Sequence, residues 1–214
     1  MPIFRKDGQN ILFVHVPKAG GSTVERVFGN SGYQVLYRDP KTGPKSVNRL
    51  RRCSPQHMHA EMLDRNFRLN AFDLILMVTR EPLARFRSEY GMRNADRLQH
   101  GTAADVDQWA DKAFKKYLAD SFVFDNHLRP QSEFKLEKSD VYRLEDGLDT
   151  LVADLNSRYG LGLDPNIPRV MDRKSASGSS SSDVEISDQL QTRLIDFYHD
   201  DFTRFGYPLP EDNR

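Results

Sequence analysis

Lys18, the glycine pair Gly20-Gly21 and the hydroxyls of Ser22 and Thr23 stand together in Val16-Pro17-Lys18-Ala19-Gly20-Gly21-Ser22-Thr23. That set can hold an anion. Glycine lets a backbone turn tightly and come close to a ligand with no Cβ in the way. A helix opening straight after such a turn aims its first amides, and the positive end of its dipole, at one spot suited to phosphate or sulfate. Lys18 adds a mobile positive charge, so residues Pro17, Lys18, Ala19, Gly20, Gly21, Ser22 and Thr23 together are the candidate anion cradle. The apolar run Ile11–Val14 ahead of them reads as a buried strand. Ser22 or Thr23 can cap a helix running on through Glu25, Val27 and Phe28. The plainer alternative is an ordinary strand-to-helix turn with a surface lysine. It does not account for a second set of residues.

That second set is Arg80 and Ser88. An apolar strand, Phe72–Thr79, runs directly into Arg80-Glu81-Pro82-Leu83-Ala84-Arg85-Phe86-Arg87-Ser88. Pro82 suits the first turn of a helix, where its missing N–H is not needed. Arg80 then stands at the carboxyl end of a strand, with Ser88 further along the helix that follows. A guanidinium there can give two parallel hydrogen bonds to a phosphate. A salt bridge at the strand end, and a serine bonded to its own helix, are the structural alternatives.

A proton acceptor would come from Cys53-Ser54-Pro55-Gln56-His57-Met58-His59-Ala60-Glu61. Imidazole titrates near neutrality and suits general-base work, so His57 and His59 are both candidates; either can also simply cap the next helix. No further Cys or His lies at ligand spacing from them, and no metal is expected. His15 falls inside the first strand and reads as structural, while His100 and His199 read as solvated helix ends. The loop is not a Walker A element, which places lysine after the last glycine. Asp73 also lies at the start of its strand, where it cannot hold magnesium.

The elements that must position these groups alternate. Strands are expected near 10–16, 33–37, 72–79 and 140–144, and helices near 22–29, 59–66, 82–97, 105–119, 147–159 and 184–204. Such alternation argues for an α/β fold with a parallel sheet and helices on both faces. Ligand sites in such sheets lie beyond the carboxyl ends of the strands, where both anion motifs fall. The 214 residues, 38% hydrophobic and 29% charged, fit a single globular domain, 1–214. Basic and acidic residues balance, so no overall field calls for nucleic acid or a membrane surface. Cys53 is the single cysteine, which rules out an internal disulfide. The start, Met1–Asp7, has no signal-peptide core and the sequence no long apolar span; the expectation is a cytoplasmic protein without a transmembrane segment.

His15-Val16-Pro17-Lys18-Ala19-Gly20-Gly21-Ser22-Thr23 closely resembles the 5′-phosphosulfate loop of sulfotransferases that use 3′-phosphoadenosine 5′-phosphosulfate (PAPS) as donor. Arg80-Glu81-Pro82 through Ser88 resembles the stretch with which the same family binds the donor's 3′-phosphate. The nearest resemblance is to the carbohydrate branch, the heparan sulfate 2-O- and 6-O-sulfotransferases and bacterial relatives. It implies a P-loop-like three-layer fold, PAPS as co-substrate and in-line transfer to an acceptor hydroxyl on a saccharide. It also implies a histidine base between the two donor motifs. His57-Met58-His59 resembles the 2-O enzymes, His59-Ala60 the 6-O enzymes, and Gln56-His57 the bacterial relatives, so both histidines remain candidates. His127 belongs to Asp125-Asn126-His127-Leu128-Arg129-Pro130-Gln131, which resembles a family segment (N-H-x-R-P-Q) that shapes the active-site rim or touches the acceptor.

Towards the C-terminus, Arg173-Lys174-Ser175 resembles a donor-closing loop that would touch the 3′-phosphate. The serine run 175–182 departs from the relatives, and a plain linker is the other reading. Ser182 and Glu185 are spaced as a capping box for a last helix with Leu190, Leu194, Phe197 and Phe202 on one face. Arg49, Arg51 and Arg52 could meet an acidic glycan or form a solvated face. Two rival functions stay open: a nucleotide-dependent kinase, and a non-catalytic phosphoadenosine-binding module.

Overall fold

A computed structural model describes residues 2–95, 102–167 and 180–210. Five strands form one sheet: β1 (Ile3–Lys6), β2 (Gln9–Val14), β3 (Gln34–Leu36), β4 (Leu74–Thr79) and β5 (Ser139–Arg143). Their order is β3-β1-β2-β4-β5. β2, β4 and β5 are parallel neighbours, whereas β1 runs antiparallel to both β2 and β3. The expectation of a parallel sheet therefore needs correcting at this edge. Asp7 and Gly8, with φ of 50° and 85°, make a two-residue hairpin that folds β1 back onto β2. Asp-Gly is a strong signal for such a turn, and the sequence reading passed over it.

The helices are α1 (Gly21–Asn30), α2 (Ala60–Asn66), α3 (Pro82–Arg93), α4 (Ala103–Ala119), α5 (Leu148–Tyr159), α6 (Asp188–Phe197) and α7 (His199–Phe205). Strand side chains alternate between faces, and two separate cores result. Ile11, Phe13, Leu74, Leu76 and Val78 pack with Val24 and Phe28 of α1 and Leu151 and Leu155 of α5. Leu12, Val14, Ile75 and Met77 pack on the other side with Phe86 of α3, Ala110 of α4, Leu194 of α6 and Phe202 of α7. A strand covered on both faces carries an unbroken apolar run, as β4 does, all six of its residues being buried. Helices thus lie on both faces, as expected.

The expected last helix, 184–204, is two helices broken at Tyr198, whose hydroxyl donates to the Leu128 carbonyl at 3.0 Å. Its cap is Ser187, which accepts from the Leu190 amide, and not Ser182. Ser180 and Asp183 instead form a capping box on the single turn Ser181–Asp183.

One tie in this layer reaches the carboxyl end of β4. Asp201 of α7, wholly buried, accepts from the amides of Gln131 at 2.8 Å and Ser132 at 2.7 Å. The Gln131 amide group in turn clamps Arg80: Oε1 accepts from the Arg80 N–H at 2.9 Å and Nε2 donates to the Arg80 carbonyl at 2.7 Å. Asp201→Ala would leave two buried amides unpaired, at about 1–3 kcal/mol each. We expect urea unfolding of this variant to show about 2–6 kcal/mol less stability.

Candidate active site

The cradle lies where β2 ends. Lys18 takes a left-handed conformation (φ 68°), as does Gly20 (φ 80°), the residue on which α1 begins. No side chain caps α1, which is a correction to the expected role of Ser22 or Thr23. The helix starts one residue earlier, so both hydroxyls sit inside its first turn, with Ser22 exposed. An uncapped first turn keeps its amides available to an outside anion. The tightness of the turn has a named cause. A Cβ on Gly21 would stand 2.3 Å from His15 Nε2. His15 is buried against the helix, its Nδ1–H donated to Glu25 Oε1 at 2.8 Å, and Glu25 also holds Gln56 at 2.8 Å and Arg38 at 2.9 Å.

Arg80 and Ser88 face the same cleft, of about 1320 Å³, as Lys18, Gly20 and Thr23. Arg80 Nη1 donates to the Lys18 carbonyl at 3.3 Å, which joins the two anion motifs directly. Glu81 caps α3, accepting from the amides of Leu83 and Ala84, and Pro82 occupies the first turn as expected.

Between these motifs stands a histidine with a carboxylate behind it. His57 lines the cleft, and its Nδ1 lies 2.8 Å from Asp125 Oδ2. Burial would raise the Asp125 carboxyl, but the bond and charge of His57 and the Ser54 amide, at 2.6 Å, hold it down at about 2. Asp125 is thus ionised and fixes His57 with Nε2 as the ring nitrogen left for other work. Asp125 sits in a run of three left-handed residues, Phe124, Asp125 and Asn126 (φ 56°, 61° and 64°). Consecutive non-glycine residues rarely adopt this conformation, and each costs about 1–2 kcal/mol. Asn126 secures the run by donating to the His57 carbonyl at 2.8 Å and accepting from Arg129 Nε at 3.1 Å. The Arg93 guanidinium lies 3.9 Å over the Phe124 ring.

His127 follows that run, also lining the cleft, and pairs through Nδ1 with the buried Glu89 at 2.6 Å. Burial pushes His127 below its ordinary value despite Glu89, so it is neutral at pH 7. His59 goes elsewhere. It precedes α2, packs against Phe122 and is not among the cleft-lining residues. Burial lowers its pKa as well.

A family model described as the sulfotransferase family matches residues 1–208. The chain belongs to the sulfotransferase family. No curated protein and no solved structure matches it. Within this sulfotransferase the structure gathers Pro17, Lys18, Gly20, Gly21, Ser22, Thr23, His57, Arg80 and Ser88 around one cleft, with Ala19 buried just behind. Arg173, Lys174 and Ser175 lie outside the described residues, as does His100, while Ser180 and Ser181 reach the cleft wall. Arg49, Arg51 and Arg52 are exposed and do not line it; Arg52 pairs with Asp120 at 2.7 Å. His199 is exposed at the start of α7, as expected.

Sequence reading gave no role to Glu89 or Glu25, and took Asp125 and Gln131 only as part of the segment Asp125–Gln131. Asp125, Glu89 and Gln131 act through partners 68, 38 and 51 positions away, and Glu25 through His15, ten positions before it. That segment's resemblance was the signal in the sequence for Asp125 and Gln131.

His15 generates a pH prediction. Burial outweighs the Glu25 bond and holds its pKa at about 4, against 6.5 when exposed. Between those values the unfolded chain binds a proton that the folded chain refuses, so stability falls as pH falls from 6.5 to 4. Denaturant unfolding at pH 7 and pH 4.5 should differ by about 2–3 kcal/mol from this group. In His15→Gln that slope should flatten.

Proposed function

We propose that this sulfotransferase moves a sulfuryl group from PAPS to an acceptor hydroxyl, on a saccharide, with His57 as the base. The observation that carries the reading is convergence: an imidazole–carboxylate pair, His57–Asp125, opens on the same cleft as the uncapped start of α1 and the Arg80 fork. The cleft volume, two separate anion-holding elements and an arginine whose backbone is clamped by Gln131 all fit a donor with phosphate at both ends. The strand–loop–helix at 9–30 is read as P-loop-like, and the chain as one catalytic domain.

PAPS supplies an activated sulfuryl group; the protein supplies the rest. Lys18 and the first amides of α1 meet the 5′-phosphosulfate and the negative charge that grows on its leaving oxygen. Arg80 and Ser88 hold the 3′-phosphate. His57 takes the acceptor proton on Nε2, and Asp125 keeps the ring in the tautomer with Nδ1–H and steadies the charge that results. His59 remains the second candidate base by spacing, but its packing against Phe122 favours His57. Among the described residues no helix is long and apolar enough to cross a membrane; a cytoplasmic location is part of this proposal.

Calorimetric titration with 3′,5′-adenosine bisphosphate, beside ATP with magnesium, tests the donor. Selective binding of the bisphosphate, lost in Arg80→Ala, is expected; binding of ATP alone would replace this reading with a kinase. Lys18→Ala should lower kcat by about 10²–10³, with bisphosphate affinity changed far less. His57→Ala should lower kcat by about 10²–10⁴ and leave bisphosphate affinity within a few-fold. Bisphosphate binding without sulfuryl transfer to any glycan in an acceptor screen would favour a binding module.

A further inference from the structure

Three donor groups in the cleft, among them the proposed base and its carboxylate, form a cluster with the composition of a metal site. A ring nitrogen of His57, one of His127 and a carboxylate oxygen of Asp125 all lie within 4.8 Å of one another. The two rings meet edge to face, 4.9 Å between centroids. All three residues line the cleft, so a small ion has a way in. We propose that His57, Asp125 and His127 bind one divalent ion of the zinc, cobalt or nickel type, and that its binding takes His57 out of service as a base.

The chemistry of the set selects that class of ion. Two imidazoles and one carboxylate suit borderline cations, whereas calcium and magnesium prefer all-oxygen cages. Bonds near ~2.0–2.2 Å to an ion would draw the donors together from their present spacing by small side-chain movements. The supporting contacts are already in place. Metal-binding imidazoles usually give their other N–H to a carboxylate, which fixes ring and tautomer. Here His127 has Glu89 on Nδ1 at 2.6 Å, which leaves its Nε2 for an ion. Arg93, which pairs with Glu89, is the nearby opposing cation. The expectation of no metal rested on spacing along the chain, and 68 residues separate His57 from Asp125.

The loss of the base rests on the assignment of His57 above; the ion site itself does not. The test therefore reads binding alone, on the untagged full chain with zinc chloride as the only ligand. Calorimetry should show one ion per chain at micromolar concentration. His57→Asn and His127→Asn should each weaken it by at least ~10–100-fold, with melting curves close to the parent. Absence of uptake, or uptake unchanged in both variants, overturns the proposal. A measurement on the unaltered protein guards against variants that fail to fold. Cobalt(II) should broaden or shift the imidazole resonances of His57 and His127 at one equivalent and leave exposed His199 unaffected. Resonances of His57 and His127 unmoved by cobalt would equally overturn it.

Discussion

Parallel pairing of β2 with β4 is the constraint from which the cleft follows. Val14 stands opposite Met77, so the two strands end side by side and point the same way. Each is followed at once by a turn carrying a cation, Lys18 after one and Arg80 after the other. The bond from Arg80 to the Lys18 carbonyl measures how close those turns come. Without that pairing, two motifs distant in sequence would be two unrelated turns. The pairing is secured by burial on both faces, through the alternation of Leu12 and Val14 with Ile11 and Phe13. Apolar packing fixes the distance between two charge-binding elements, although it contributes no polar group to either.

Around this frame the polar interior is organised as pairs. His15 with Glu25, His57 with Asp125 and His127 with Glu89 each join an imidazole to a carboxylate through Nδ1. The rings run in sequence, 5.1 Å from His15 to His57 and 4.9 Å from His57 to His127. Burying a carboxylate without a partner is expensive, and each pair meets that cost while fixing a ring. The left-handed run 124–126 is a further expense, held in place by Asn126 and Arg129. Strain of this kind persists where surrounding contacts over-determine it, and here it delivers Asp125 and His127 to neighbouring points on the cleft.

Most of the frame was legible in the sequence because it is written in local signals. Apolar runs gave β2 and β4, Pro82 gave the start of α3, and the glycine pair gave the loop. β1 escaped because four residues, half of them polar, carry little pattern, although Asp7-Gly8 announced the turn. The end of the chain was misdivided because the break at Tyr198 is set by a bond to Leu128, which no window of sequence contains. The same reason hid the carboxylates. Asp125 and Glu89 are ordinary acidic residues until the fold brings each to a histidine 68 or 38 positions away. His57 and His59 differ by two residues and were inseparable on spacing; the turn at Pro55–His57 sends one to the cleft and the other against Phe122.

The link from Asp201 through Gln131 to Arg80 has a consequence for the order of events in the cell. A ribosome delivers β2, the glycine turn and Arg80 early, and the sheet can begin to assemble from them. Asp201 emerges more than a hundred residues later, and Tyr207, whose hydroxyl meets Thr79 Oγ1 at 3.0 Å, later still. Until then the guanidinium that completes the cleft lacks the support that fixes its backbone. The support behind the anion site is therefore complete only once α7 has emerged and docked, although the residues of the site itself were made long before.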